Sequence, residues 1–180
     1  MNSIIDAILS RRSVRKFTQE TVDEKEIETI LNCGIWAPSG LNNQPCRYIV
    51  VQERSNIEAI AGCTHYSDVV LNAPVLIAVF LDKDAVYNYV KDVQAAGASI
   101  QNMLLSCHSM GLGSVWLGEI LNQKEKVNSI LKVPESLELM AVLAIGHPEE
   151  GKRTSSRRAL GEIAFNEIYG SNWVGRDEEI

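Results

Sequence analysis

The residues with the most obvious chemistry lie near the start of the chain, where Arg11-Arg12-Ser13-Val14-Arg15-Lys16 puts five donors to phosphate oxygens within six residues. Guanidinium groups grip phosphate bidentately, and a serine hydroxyl adds a neutral contact. Taken alone, such a run fits a solvated basic face pairing with acidic helix surfaces equally well. Two further features favour a bound anion. Arg157 and Arg158 form a second basic group after the last apolar run, able to close on the same ligand. The polar loop of Ser39, Gly40, Asn42, Asn43 and Gln44 carries amides that can read the edge of a heterocycle.

Other local patterns carry less. Gly111-Leu112-Gly113-Ser114 can be read as a phosphate-cradling loop, yet it lacks the third glycine of a dinucleotide fingerprint and follows a helix, so a helix C-cap with a turn fits as well. His65, His108 and His147 have no metal or triad spacing and read as structural. The four cysteines, Cys33, Cys46, Cys63 and Cys107, form no zinc-type pair and read as small apolar core residues in a reducing compartment.

These residues need a scaffold, and 180 residues with 46% hydrophobic content suffice for one domain over 1–180. Ile4, Ile5, Ile8 and Leu9 share one face of a first helix that runs out at the arginines. Thr21 and Glu24 are spaced as a capping box for a second helix, which ends before Pro38. The stretch Pro38–Pro45 is rich in turn formers, and strands are expected at Tyr48–Val51, Val75–Leu81 and Leu139–Ile145. A long helix is expected over Asp84–Met110, its Ala95, Ala96, Gly97 and Ala98 allowing close approach of another helix, and a short one around Asn122–Leu131. The tail, about 160–180, carries Phe165, Ile168, Tyr169 and Trp173 and is expected to pack on a partner subunit. A net charge of −6 argues against a nucleic-acid-binding face, and no run of about 20 apolar residues spans a membrane. The polar start is unlike a signal peptide, so a cytoplasmic protein is expected.

Four motifs in order resemble the nitroreductase family: the Arg-Arg-Ser-Val-Arg-Lys-Phe start, the Trp36–Pro45 loop, the Gly-Leu-Gly-Ser-Val-Trp-Leu-Gly segment over Gly111–Gly118, and Ile145-Gly-His-Pro148. The resemblance spans nearly the whole chain. It implies an α+β fold with a central, mainly antiparallel sheet flanked by helices, in an intertwined homodimer holding FMN. Arg11, Arg12, Ser13, Arg15, Arg157 and Arg158 would then hold the phosphate end. Pro38, Ser39, Gly40 and Asn42 would line the ring from the other subunit, with Gln44 at the ring edge and Asn102 as a further ring contact. Val115, Trp116, Leu117 and Gly118 would pass near ring and phosphate. The implied activity is a ping-pong transfer from NADH or NADPH to a small acceptor such as a nitroaromatic or a quinone, with the hard chemistry on the flavin and no catalytic side chain. A non-catalytic FMN-binding carrier or sensor, or a specialised dehydrogenating or oxygen-using member of the fold, is the alternative. Few residues separate Leu81 from the long helix, leaving little room for elements that would select the acceptor.

Overall fold

The structure, a computed structural model, describes residues 3–151 and 154–173. Along the chain run α1 (Ser3–Ser10), α2 (Glu24–Ile35), a 3-10 turn (Gly40–Asn42), β1 (Cys46–Val51), α3 (Arg54–Ala61), α4 (Ser67–Asn72), β2 (Val75–Asp82) and α5 (Tyr89–Ser109). Then follow β3 (Gly113–Leu117), a 3-10 turn (Glu119–Gln123), α6 (Lys124–Ile130), β4 (Leu137–Gly146) and α7 (Leu160–Ile163). The strands form one antiparallel sheet in the order β1-β2-β4-β3. The α+β class and the antiparallel sheet expected from the sequence are what the chain adopts.

Period-two alternation divides the core between the two faces of this sheet. Leu76, Ala78 and Phe80 of β2 pack with Val142 and Ala144 of β4 against α3, α4 and α6. Val75, Ile77, Val79, Ala141, Leu143 and Ile145 pack on the other face against Ile27 and Ile30 of α2 and Ile100, Met103 and Leu104 of α5. With helices on both faces, β2 is buried from Val75 to Leu81, which is why it reads as an unbroken apolar run.

Several boundaries differ from the sequence expectation, each for a local reason. The cap of α2 is Asp23, with the Glu26 carboxylate accepting from the Asp23 amide at 3.0 Å, instead of Thr21 with Glu24. The long helix begins at Tyr89, capped by Asn88 accepting from the Lys91 amide at 3.2 Å, so residues 84–88 belong to a turn. Gly111 does end α5 with a positive φ of 81°, but the strand β3 starts two residues later, making the Gly-Leu-Gly-Ser segment half cap and half strand. Close helix approach occurs at Gly34 of α2, where any Cβ would collide with Met103 of α5. The helices α3 and α4, eight and six residues long, had no counterpart in the sequence reading.

The N-terminal arginines are carried to the end of the sheet by two apolar anchors. Val14 and Phe17 are buried, the Val14 amide donates to the Ser114 carbonyl at 3.0 Å, and the Thr18 amide to the His147 carbonyl at 2.9 Å. A Cβ at Gly113 would lie 2.6 Å from Val14 Cγ1, so that glycine gives Val14 its seat. Not all apolar surface is covered. Ile4, Ile5, Ile8 and Leu9 of α1 are all at least half exposed, and Trp36 is 85% exposed.

Candidate active site

At the end of α1 the chain turns so that Arg11, Arg12, Ser13 and Arg15 face Thr154, Ser155 and Arg157 across a cleft of about 570 Å³. Among the described residues, four guanidinium groups and three hydroxyls line it, and no carboxylate does. Arg12 is fixed by bonds from Nη1 to the carbonyls of Leu9 at 2.7 Å and Arg11 at 2.8 Å, while its buried Nε meets no acceptor among the described residues. Arg157 Nη1 donates to Ser155 Oγ at 3.1 Å and to the Ser156 carbonyl at 2.8 Å. Burial, followed by repulsion from Arg12 and Arg157, pushes the Arg11 guanidinium below its ordinary pKa. A cluster of like charges with an orphaned donor is complementary to a multiply charged oxyanion. Arg158 is exposed and does not line the cleft.

A second cleft, of about 530 Å³, opens between the end of α2, the start of β1 and α5. Pro38, Ser39 and Gln44 line it, with Cys46, Tyr48 and Ser99 at its floor. Tyr48 Oη lies 2.8 Å from Ser99 Oγ. Burial first, despite the Ser99 bond, pushes the Tyr48 phenol up to about 12, so it serves as a neutral hydrogen-bonding group. Gly40 packs directly on the Tyr87 ring, where no side chain would fit, and Asn42 is exposed at the tip. Leu41, Asn42 and Gln44 have φ of 54°, 56° and 48°, left-handed conformations that cost about 1–2 kcal/mol each for residues other than glycine. The Ser39 hydroxyl accepts from the Gln44 amide at 3.0 Å and closes the loop.

Within one chain the arginine cleft and this loop line different cavities. On β3, Val115 and Leu117 are buried in the core, whereas Trp116 lies beside Gly97 of α5 and is 42% exposed. Gly118 is exposed after the strand. Asn102 donates to the Cys33 carbonyl at 3.2 Å and so ties α5 to α2. The histidines have structural partners: His108 Nε2 is 2.8 Å from Ser10 Oγ, and His147 Nε2 is 3.2 Å from the Thr21 carbonyl. No group of His, Cys, Asp and Glu among the described residues could hold a metal ion, and no helix among them is long and apolar enough to cross a membrane.

Glu119, which sequence reasoning did not single out, follows Gly118 and binds it to a remote turn. Its carboxylate accepts from Thr64 Oγ1 at 2.6 Å and from the His65 amide at 3.1 Å. The Thr64 hydroxyl above all, then the His65 amide working against burial, holds this carboxyl below its ordinary value of 4.5. A depressed folded-state value adds stability above the unfolded-state pKa, and that stability is lost as pH falls through the folded one. The Glu119→Gln variant is therefore expected to show a shallower fall in Tm between pH 5 and 3, measured by thermal unfolding beside the parent; equal slopes would remove Glu119 from the acid limb.

An antiparallel sheet with helices on both faces, carrying at one end an arginine cleft that no carboxylate lines among the described residues, defines an α+β protein with a concentrated positive site. The family model for the Nitroreductase family matches residues 8–65 and 56–147, and the chain belongs to that family. A protein of Archaeoglobus fulgidus, provisionally named an NADH dehydrogenase/NAD(P)H nitroreductase, is 31% identical over 156 residues, covering 84% of this chain and 89% of its own. The NADPH-flavin oxidoreductase of Vibrio harveyi is 29% identical over 184 residues, covering 94% and 75%. Among solved structures, a provisionally assigned nitroreductase of Desulfovibrio desulfuricans in complex with FMN is 46% identical, with a TM-score of 0.88 over 94% of this chain and 99% of that one.

Proposed function

We propose that this chain is an FMN-dependent oxidoreductase, its 180 residues forming one flavin-binding domain, that passes hydride or electrons from NADH or NADPH to a small acceptor such as a nitroaromatic or a quinone. The observation that carries this reading is the cleft of Arg11, Arg12, Arg15 and Arg157, which no carboxylate lines among the described residues and in which burial and the charges of Arg12 and Arg157 disfavour the Arg11 cation until an anion neutralises it. Arg11, Arg12, Ser13, Arg15 and Arg157 hold the phosphate end of FMN; Arg158 stands outside the cleft. The flavin, when bound, supplies the hydride-accepting and hydride-donating chemistry, so the protein's part is to bind, orient and exclude water. The ring end is met by Pro38, Ser39, Gly40 and Asn42 of a second copy of the chain, with Gln44 at the ring edge. The segment of Val115, Trp116, Leu117 and Gly118 passes near ring and phosphate, with Trp116 and Gly118 its exposed members.

A homodimer is supported by the uncovered apolar face of α1 and by Trp36. It is also supported by the tail, where Leu160, Ile163, Ile168 and Tyr169 are all more than half exposed. We place the tail, about 160–180, on the partner subunit, its last seven residues lying outside those described here. The test is an absorbance spectrum of the purified protein followed by anaerobic titration with each nicotinamide. Flavin bands that bleach with NADH or NADPH are the expected result. A colourless protein that takes up no added FMN overturns the reading, and bound flavin that neither donor bleaches makes the chain a carrier or sensor.

A further inference from the structure

The one buried carboxylate among the described residues sits away from the arginine cleft. Asp92, in the first turn of α5, has 0% exposure and, among the described residues, no salt bridge to a lysine or arginine. It is satisfied by three hydrogen bonds instead. Asn43 Nδ2 donates to Oδ1 at 2.9 Å, and the amides of Tyr87 and Asn88 both donate to Oδ2 at 3.0 Å. The same Asn43 Nδ2 donates to the Ala85 carbonyl at 2.9 Å. Two acceptors converge on that nitrogen, which fixes the orientation of the amide. Asn43 is thus clamped between the Ala85 turn and the first turn of α5.

Asn43 lies within the run of left-handed residues, between Asn42 and Gln44. Three such backbone conformations in four residues persist only where the surroundings over-determine them. The loop's own bonds, Ser39 Oγ from the Gln44 amide and the Gly40 carbonyl from the Asn43 amide at 3.0 Å, close it on itself but do not attach it to the body. Arg47 Nη1 of β1 holds the Gln44 carbonyl at the end of the loop at 3.0 Å, while the side chain that ties the loop to the start of α5 is Asn43, with Asp92 the charged half of that clamp. The Tyr87 amide that Asp92 holds also seats the Tyr87 ring on Gly40. One carboxylate therefore locks both walls of the loop.

We propose that Asp92 is a positioning residue that holds the Ser39–Gln44 loop, through Asn43 and Tyr87, in the strained shape that meets the flavin ring. This rests on the reading that the loop of one subunit lines the ring bound by the other. Asp92 touches neither ligand; it acts by removing the ordering cost that a loose loop would impose on binding. Buried, acceptor-only and short, it cannot be replaced by Asn without setting an N–H2 group against one of its three donors.

The test compares the parent holoenzyme with Asp92→Asn and Asn43→Ser. Two readouts go beyond activity: amide hydrogen exchange over residues 38–47 in the flavin-free protein, and FMN affinity by fluorescence quenching with the visible circular dichroism of the bound flavin. The expected result is faster exchange confined to 38–47 and 84–88, about tenfold weaker FMN binding and an altered flavin dichroism. The double variant should be little worse than Asp92→Asn, because the residues act as one unit. Unchanged loop exchange in both single variants overturns the proposal and leaves the ring reading standing. Faster loop exchange with unaltered flavin affinity and dichroism overturns the placement of the loop at the ring, and the proposal with it. Asn43→Ser, which leaves the Asp92 bonds to the backbone amides in place, carries the test where Asp92→Asn does not fold.

Discussion

Replacing Arg11 and Arg157 together by alanine is expected to weaken FMN binding by about two to four orders of magnitude while the protein remains folded. The two side chains approach the cleft from opposite ends of the chain and line the same cavity. A hydrogen bond to a charged group contributes about 1.5–3 kcal/mol, and two such losses correspond to about 3–6 kcal/mol at about 1.4 kcal/mol per tenfold. The fold should not suffer through charge. Burial first, then the charges of Arg12 and Arg157, lowers the Arg11 pKa, so the Arg11 cation is disfavoured in the flavin-free protein and its removal with Arg157 takes away an unfavourable charge. Its Tm should hold or rise even as affinity collapses, and that opposition separates a ligand site from a structural arginine cluster. Arg158→Ala is the internal control, with binding near that of the parent because Arg158 lines no part of the cleft. Fluorescence titration of the flavin-free proteins checks all three. Parent-like affinity in the double variant would mean that the cleft holds something other than the phosphate of FMN.

How much of this site was legible depended on the range of the forces that build it. The arginine run could be read because its donors are consecutive, and β2 because both its faces are covered and every residue from Val75 to Leu81 is apolar. The choice of Arg157 over Arg158 could not be read. It comes from local bonds of Arg157 to Ser155 and Ser156, which a string of two like residues does not distinguish. The strand β3 was hidden because Gly111 really does cap α5, and pairing with β4 and the seat for Val14 extend the five residues from Gly113 to Leu117. The helices α3 and α4 are too short for period alone, since the first presents only Ile57, Ile60 and Ala61 to the core. Asp92 is the clearest case. In sequence it is one acidic residue near the start of a helix, where an exposed carboxylate would be ordinary. Its burial and its hold on Asn43, 49 positions away, exist only in three dimensions.

The second large effect is expected from Trp36→Glu. At 85% exposure in the single chain, Trp36 supports almost nothing in its own fold, so far-UV circular dichroism of the variant should match the parent. It borders an apolar groove shared with Ile4 and Ala7 of α1 and Leu105 of α5, next to the exposed Ile8 and Leu9. An uncovered tryptophan beside an uncovered helix face is the composition of an interface core. In a two-fold dimer each interface residue occurs twice, so a single substitution is felt at two places. Burial of one large apolar side chain contributes about 1.5–3 kcal/mol, and two together about 3–6 kcal/mol, or about 10²–10⁴ in the dimer dissociation constant, before the cost of burying the new carboxylates. Sedimentation should therefore show the parent as a dimer and the variant as a monomer at micromolar concentration. Flavin should leave with the partner, because the arginine cleft and the Pro38–Asn42 loop do not share a cavity within one chain. A monomer that keeps its FMN would assign the ring contacts to the chain that holds the phosphate. A variant that stays dimeric would move the interface away from α1 and α2. Loss of flavin and partner together is the outcome that ties the two halves of the site to two copies of the chain.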